Sequence, residues 1–336
     1  MHCQHGMTAR PRNHLVLLAL FALVLTLVSS ACVGGRTVRT VADASGKIDI
    51  LQLWQEPADL ESRDLRAGPP SPVPLPNPAA FTFVKADTTG FSPGYDVRDG
   101  NGVEWSVKLG SEAQTEVVVS RILWAIGYHQ MPTYYVATWT LEKGPDANPG
   151  PGRFRPVLPN AKVAGDWSWF ENPFANTQPF RGLIVANLIV NNWDWKTSNN
   201  KIYDLTNPDG TGVRQYVVRD LGASLGKTDA PALTRVLGAR VAQGNRNDLE
   251  DFEQQGFIKG VTGGRIDFDY KGIYKEVVDT VTPADVVWTC RLMSRLSDQQ
   301  WNDAFAAGGY PPDQAARYIT KLKSKIAEGL ALANRS

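Results

Sequence analysis

The sequence predicts an α+β fold in two lobes, an antiparallel sheet with one helix followed by a mainly helical lobe. Three observations predict it. Strand-like runs separated by Gly- and Asn-containing turns fill Phe81–Leu109 and lead into one patterned helix. A buried-helix run at Leu183–Val190 opens into a polar loop and a hairpin. From about Gly264 the signals are helical, with recognisable start residues. The 336 residues are 43% apolar and 21% charged, so a sizeable core is available and global disorder is not expected.

The first residues have another purpose. Arg10 and Arg12 precede the apolar segment Leu15–Val28, and Ser29-Ser30-Ala31-Cys32 follow it. A basic start, an apolar run and small residues are the marks of an export signal over residues 1–31. The run, about 14 residues, is short for a bilayer span. Ser29-x-Ala31 suits ordinary signal-peptidase cleavage. The small residues before Cys32 also resemble a bacterial lipoprotein signal, which implies a lipidated Cys32 as the new N-terminus. Residues 32–80 then form a lipid-anchored tether and a Pro-rich arm, with prolines recurring from Pro69 to Pro78.

Composition excludes several function classes. The chain has 35 Lys and Arg against 34 Asp and Glu, and residues 1–31 contribute only Arg10 and Arg12 to that balance. What remains is nearly neutral, without the basic footprint of a nucleic-acid binder. Of the three cysteines, Cys3 lies in the signal and Cys32 at its end, so Cys290 is left alone and no disulfide framework is expected. Of the four histidines only His129 lies beyond the signal, which excludes a His-rich metal site. A Ser/His/Asp triad would have to use His129, which reads as a loop histidine between Ile122–Tyr128 and Pro132.

Three strands are expected at Phe81–Lys85, Tyr95–Arg98 and Val103–Leu109, the last two joined by the hairpin turn Asp99-Gly100-Asn101-Gly102. Val103, Trp105, Val107 and Leu109 alternate onto one face and leave Lys108 on the other. Ser111, with Gln114 three residues on, reads as a capping box opening a helix that stops at Gly127. Met131–Leu141 is a further strand region. Trp167, Trp169 and Phe170 could form a sugar-stacking surface, with core packing the default reading. Ser297–Gln300 caps a helix ending at Gly308-Gly309, and Pro312-Asp313 opens the last one. On that last helix Ile319, Leu322, Ile326 and Leu330 share a face, with Lys321, Lys323 and Lys325 largely on the other.

The stretch 180–222 carries the chemistry. After the helix run come Asp194, Lys196 and Asn199 in the order D-x-K-x-x-N, then strands at Lys201–Leu205 and Gln215–Val218 around an Asn207–Gly210 turn, then Asp220-Leu221-Gly222. With TEVVVSRILWAIGY, NNWDWKTSNN and VVRDLG, the chain resembles the protein-kinase-like superfamily, and within it the HipA-like and phosphatidylinositol-kinase-like branch. The resemblance spans roughly residues 81 to 310. It implies lobes at 81–145 and 146–336 and a site for Mg²⁺ and ATP or another nucleotide. Lys108 matches the lysine that holds the phosphates, and Glu116 the helix acid that orients it. Glu112, next to the helix start, is better explained by the helix dipole. Gly90-x-x-x-Gly94 stands where the family has the loop covering the nucleotide, but it departs from G-x-G-x-x-G and carries Pro93, which lacks a backbone donor. Asp194 matches the catalytic aspartate and Lys196 a phosphate-facing lysine. Asn199 and Asp220 match the metal ligands and supply the oxygens that a hard cation requires. Asn192-Trp193 stand where a histidine is usual.

One motif competes. Leu221–Thr228 reads LGASLGKT, one substitution from a P-loop, with Leu221 where the phosphate-wrapping Gly belongs. The kinase resemblance assigns the same residues to the segment after D-x-G. The resulting expectation is an exported, membrane-anchored phosphotransferase of the cell envelope, on the periplasmic or outer-membrane face. Its acceptor would be a protein, lipid or glycan hydroxyl. Because the bacterial exterior is poor in ATP, the alternatives are another phosphoryl donor or an inactive binding module of the same fold.

Overall fold

The computed structural model describes residues 36–42, 49–77, 80–88, 92–228 and 244–334. The signal segment, Cys32 and Gly90 lie outside the described residues. Strand β1 (Arg39–Thr40) precedes two 3-10 turns at Ile50–Gln52 and Leu60–Ser62. The expected meander follows as β2 (Phe81–Asp87), β3 (Gly94–Asp99) and β4 (Glu104–Leu109). Its hairpin turn closes as anticipated: Gly102 takes φ +83°, and the Asp99 carboxylate accepts from the N–H groups of Asn101 and Val103. The Trp105 indole N–H donates to the same carboxylate at 3.0 Å.

Helix α1 (Glu112–Ala125) comes next, but Ser111 does not cap it. Ser111 has helical backbone angles and its hydroxyl makes no cap bond, while the Gln114 side chain donates to Gly309 O at 3.1 Å. The chain enters the helix through Gly110, at φ +86°, whose carbonyl accepts from Ala113 N–H. Gly127 ends the helix as expected, because a Cβ there would lie 2.2 Å from Gln55 O.

Strands β5 (Tyr134–Val136), β6 (Leu141–Glu142) and β7 (Gly152–Pro156) complete a six-stranded sheet in the order β5-β7-β4-β3-β2-β6. All neighbours are antiparallel except β2 and β6. The sheet therefore draws a strand from beyond residue 145, and β7 lies beside β4 with Arg153 paired to Lys108. One sheet face is apolar: Phe81, Val97, Trp105, Val107, Trp139, Leu141 and Phe154 form its core. The other carries Lys108 toward α1.

The remainder begins with β8 (Ala161–Asp166), β9 (Glu171–Asn172), α2 (Gln178–Ile189), β10 (Asn200–Thr206) and β11 (Gly212–Val218). Strands β11-β10-β8 form a second sheet, and β1 pairs in parallel with β9. Then come α3 (Leu249–Gln254), the hairpin β12 (Ile258–Thr262) and β13 (Arg265–Phe268), and α4 (Lys275–Val278). Helices α5 (Pro283–Ser294), α6 (Asp298–Ala307) and α7 (Pro312–Leu330) close the chain. The β12–β13 hairpin falls where no strand was expected. It turns on Gly263 and Gly264, both at positive φ. The box at Ser297 forms as read, with the Ser297 hydroxyl and the Gln300 side chain each satisfying the other's backbone N–H.

Two expectations are revised by packing. Residues 49–65, read as tether and arm, are part of the main core. Leu53, Leu60 and Leu65 are buried there, the Trp54 indole N–H donates to Ile126 O at 2.8 Å, and Gln300 Nε2 donates to Leu60 O at 2.7 Å. Their apolar residues follow no helix or strand period, so the pattern gave no sign of burial. Lys325 is not on the solvent face of α7. It is 1% exposed, because it lies three residues after buried Leu322 and seven after buried Tyr318. Trp167, Trp169 and Phe170 are buried, so packing explains them. Cys290 is buried in α5, and burial pushes its thiol up to about 12, which leaves it unreactive. The His129 ring N–H donates to Leu51 O at 2.7 Å.

Candidate active site

Strand β4 delivers Lys108 to a set of carboxylates. Its ammonium donates to Asp220 Oδ2 at 2.8 Å and lies 3.4 Å from both Glu116 Oε2 and Glu112 Oε2. Glu112 and Glu116, one turn apart on α1, thus both face the lysine. Glu112 was assigned to the helix dipole, but its carboxylate also accepts from Ser92 Oγ at 2.8 Å and from Arg246. Tertiary contacts, not the helix end, define its role.

Glu116 is buried and shared. Arg153 Nε lies 2.9 Å from Oε1, and Arg155 donates to the same oxygen. Burial works to raise the Glu116 carboxyl, but Arg153, Lys108 and Arg155 outweigh it and hold it below the usual range. The same contest favours the charged form of Asp220. Burial raises it, while Lys108, the Gly222 N–H and Arg153 hold it far below the usual range. Arg153 is lowered to about 10, chiefly by burial, and stays protonated at neutral pH.

Gly222 is needed for close approach. An added Cβ would lie 2.7 Å from Glu112 Cβ, and the Thr115 hydroxyl donates to Gly222 O at 2.9 Å. The glycine lets the Asp220 segment press against α1. Gly94 is paired with Lys108 across β3 and β4, and a Cβ there would lie 2.6 Å from Val107 O. Its smallness is thus required by strand approach, directly beside the lysine.

The loop after α2 is held from within. Asn187 Oδ1 accepts from Asn192 Nδ2 at 2.7 Å, and Asn192 Oδ1 accepts from the Asp194 N–H at 3.3 Å. Asn192 therefore holds the Asp194 backbone through its amide. Lys196 donates to Asp194 Oδ2 at 2.8 Å, and Asp194 Oδ1 is buried without a hydrogen-bond partner among the described residues. Asn199 Nδ2 donates to Asp194 O at 2.8 Å. Asn199 O accepts from the N–H groups of Arg219 and Asp220, at 2.9 and 3.1 Å. Two loops distant in sequence are thereby locked together. The structure brings Lys108, Glu116 and Asp220 into direct contact, and ties Asp194 and Asn199 to Asp220 through the backbone.

No protein-family model matches the chain. No curated protein matches it either. Among solved structures it is similar to the Helicobacter pylori proinflammatory kinase CtkA, at 12% identity and a TM-score of 0.43, over 76% of this chain and 98% of that one. It is also similar to the Rio2 kinase of Chaetomium thermophilum, solved as an ADP/Mg²⁺-phosphoaspartate complex, at 12% identity and a TM-score of 0.31, over 74% and 72%. Both of those proteins are kinases.

The site's own chemistry can be stated directly. The Asp194 Oδ1 atom, buried and unpartnered among the described residues, is an acceptor suited to a hydroxyl donor or a cation. The Asn199 amide spends its nitrogen on Asp194 O and so directs its oxygen elsewhere, while Asp220 stays ionised next to it. This oxygen-only set fits magnesium. Among the described residues no cluster of three His, Cys, Asp or Glu side chains forms a metal cage.

The competing P-loop reading fails on its backbone donors. The N–H groups of Gly222, Leu225, Lys227 and Thr228 are taken by Asp220 Oδ1, Val190 O, Asn245 Oδ1 and Gln255 Oε1. Lys227 itself pairs with Asp251 at 3.1 Å. A phosphate cradle needs those donors free.

The sequence reading missed Arg153, Arg155, Arg219 and Arg246. The first two left a trace: Gly152–Pro156 reads GRFRP, and alternating arginines in a strand-length run fall on one face. Arg246 left none. It reaches Glu112 from 134 residues away and stacks 5.0 Å over the Trp193 ring.

Proposed function

We propose that this protein is a kinase-like phosphotransferase, moving a phosphoryl group from a magnesium-bound nucleotide to a hydroxyl acceptor. The observation that carries the reading is the contact of Lys108 with both Glu116 and Asp220, with Asn199 bonded to the Asp220 backbone. The six-stranded sheet with α1, set ahead of a largely helical remainder, supports a two-lobed kinase-like arrangement. The motifs TEVVVSRILWAIGY, NNWDWKTSNN and VVRDLG support the HipA-like and phosphatidylinositol-kinase-like branch.

In this reading Lys108 binds the phosphate chain as a point charge on a rigid strand, and Glu116, fixed by Arg153 and Arg155, orients it. Gly94 keeps the backbone next to that lysine close and unobstructed. Asp220 and Asn199 would hold magnesium, which when bound would neutralise charge on the phosphate oxygens. Asp194 accepts the proton of the attacking hydroxyl on its unpartnered Oδ1, and Lys196 leaves Oδ2 to face the incoming phosphoryl group. Direct pairing of Lys108 with Asp220 sets the phosphate-binding cation beside the carboxylate that would hold magnesium.

Thermal-shift titration with Mg²⁺-ATP tests the reading. Wild type should be stabilised and Asp220→Ala should not. No stabilisation of wild type, or equal stabilisation of both, would remove the nucleotide from the proposal. Stabilisation without transfer to protein, lipid or sugar hydroxyls would instead favour the inactive binding module.

Export and anchoring belong to the same proposal and rest on the sequence motif at Arg10–Cys32. A Cys32→Ala chain that stays with membranes after washing would count against a lipid anchor at the cell envelope.

A further inference from the structure

Charge around Glu116 does not balance. Lys108, Arg153, Arg155, Arg219 and Arg246 converge on the region of Glu112, Glu116 and Asp220, five cations against three carboxylates. The whole chain carries a formal charge of only +1, so this local excess is particular to the site.

Arg219 is the odd member. Each of the other four cations has one of these carboxylates in ion-pair contact, whereas Arg219 has none among the described residues. It lies in the field of Arg155, a like charge, as well as of Glu116 and Asp220, and its backbone carbonyl accepts from Arg155 Nη2 at 2.8 Å. The Nε atoms of Arg155 and Arg219 are both buried, and neither has a hydrogen-bond partner among the described residues. A solvated surface arginine explains an exposed charge, but not two buried Nε donors left over on neighbouring guanidiniums, of which only Arg155 has a carboxylate, the shared Glu116, in contact. Buried donors without a partner carry a cost that a ligand relieves.

The placement is continuous with the phosphate-type lysine. Lys108 pairs with Arg153 across β4 and β7, Arg155 follows Arg153 on the same face, and Arg155 Nη2 donates to Arg219 O at 2.8 Å. Arg219 immediately precedes Asp220. These cations form one row leading away from Lys108.

We infer that Arg155 and Arg219 form an oxyanion site for a second phosphate group, distinct from the phosphate contact of Lys108. Guanidinium forks match the paired oxygens of a phosphate, and two of them answer its double charge. The anion has two possible sources, the phosphate chain of the donor or a phosphate already present on the acceptor. Only this choice of source rests on the phosphotransferase reading.

The test uses the full chain and inorganic pyrophosphate without magnesium, read by thermal shift. Wild type should be stabilised, and Arg219→Gln should bind about tenfold more weakly or worse, the loss expected for one charge-assisted contact. Equal response of the two proteins would overturn the site. If Arg219→Gln does not fold, Arg219→Lys keeps the charge and loses the fork, so an undiminished response from it would overturn the site as well.

Mg²⁺-ATP then separates the sources. If the site reads the donor, Arg219→Gln weakens Mg²⁺-ATP as much as pyrophosphate. If it reads the acceptor, Mg²⁺-ATP is unaffected and pyrophosphate adds stabilisation on top of saturating Mg²⁺-ATP. A pyrophosphate response that depends on Arg219, in a protein that ignores Mg²⁺-ATP, would sink the phosphotransferase reading and leave the anion site standing.

Discussion

The Lys325 ammonium, in the last helix, donates to Asn191 Oδ1 at 2.7 Å, at the head of the loop that carries Asp194. It also donates to Ile189 O at 3.2 Å, at the end of α2, and lies 4.6 Å from the centre of the Phe252 ring. Asn191, held at φ +55°, passes the contact on by donating from Nδ2 to Gly226 O at 2.7 Å. One buried lysine thus joins α7, the Asp194 loop and the segment after Asp220.

Burial pushes Lys325 well below the ordinary lysine range, with Lys321 acting in the same direction and Asp269 and Glu328 against it. The folded chain then gives up this proton at a lower pH than the unfolded chain. Between those two values the unfolded state binds more protons, so stability rises with pH there, by up to about 1.4 kcal/mol per unit. Urea unfolding at a series of pH values should show that rise in wild type and a flatter profile in Lys325→Met. Parallel profiles would show that Lys325 titrates normally.

Glu116 is the counter-charge for three buried or half-buried cations. Glu116→Gln leaves Arg153, Arg155 and Lys108 without it and should cost about 3–5 kcal/mol in denaturant unfolding. The Glu116 pKa is lowered on folding, so its contribution is present above the unfolded carboxylate value and is lost as pH falls through the lowered one. Acid should therefore narrow the gap between wild type and Glu116→Gln. A gap that widens in acid would contradict the assignment.

Gly222→Ala tests the close approach to α1. The new methyl would meet Glu112 Cβ at 2.7 Å and Cγ at 3.0 Å, which should displace that carboxylate and cost about 1–3 kcal/mol. Gly165 in β8 has open space around its Cβ position, so Gly165→Ala should stay within about 0.5 kcal/mol of wild type. Equal stability of the two variants would show that the Gly222 contact relaxes freely.

Asp194→Asn keeps the loop bonds made by the backbone but removes the proton acceptor. Phosphoryl transfer to an acceptor hydroxyl should fall about 10²–10⁴-fold, while Mg²⁺-ATP still stabilises the protein. A matching loss of nucleotide binding would reassign Asp194 from proton acceptor to ligand contact.

The D-x-K-x-x-N and D-x-G spacings were readable because each lies within one short loop, where covalent spacing alone limits which residues can meet. The β2–β4 meander, the Ser297 box and the face of Lys108 were readable for the same reason: turn chemistry and strand alternation are local. Ser111 misled because its sequence neighbours suit a cap, while Gly110 provided another way into the helix. Burial of Lys325 was legible only against the period of Leu322 and Tyr318, which its charge obscured. The burial of Leu53, Leu60 and Leu65 left no pattern, since coil that packs against a core needs no period. What the amino-acid order determined by itself was the list of candidate ligands, Lys108, Glu116, Asp194, Asn199 and Asp220, and the elements that carry them. Only the tertiary structure decided which charges share a site. It brought Glu112, Arg153, Arg155, Arg219 and Arg246 to that list, because charge pairing acts through space between segments that packing, not chain connectivity, makes neighbours.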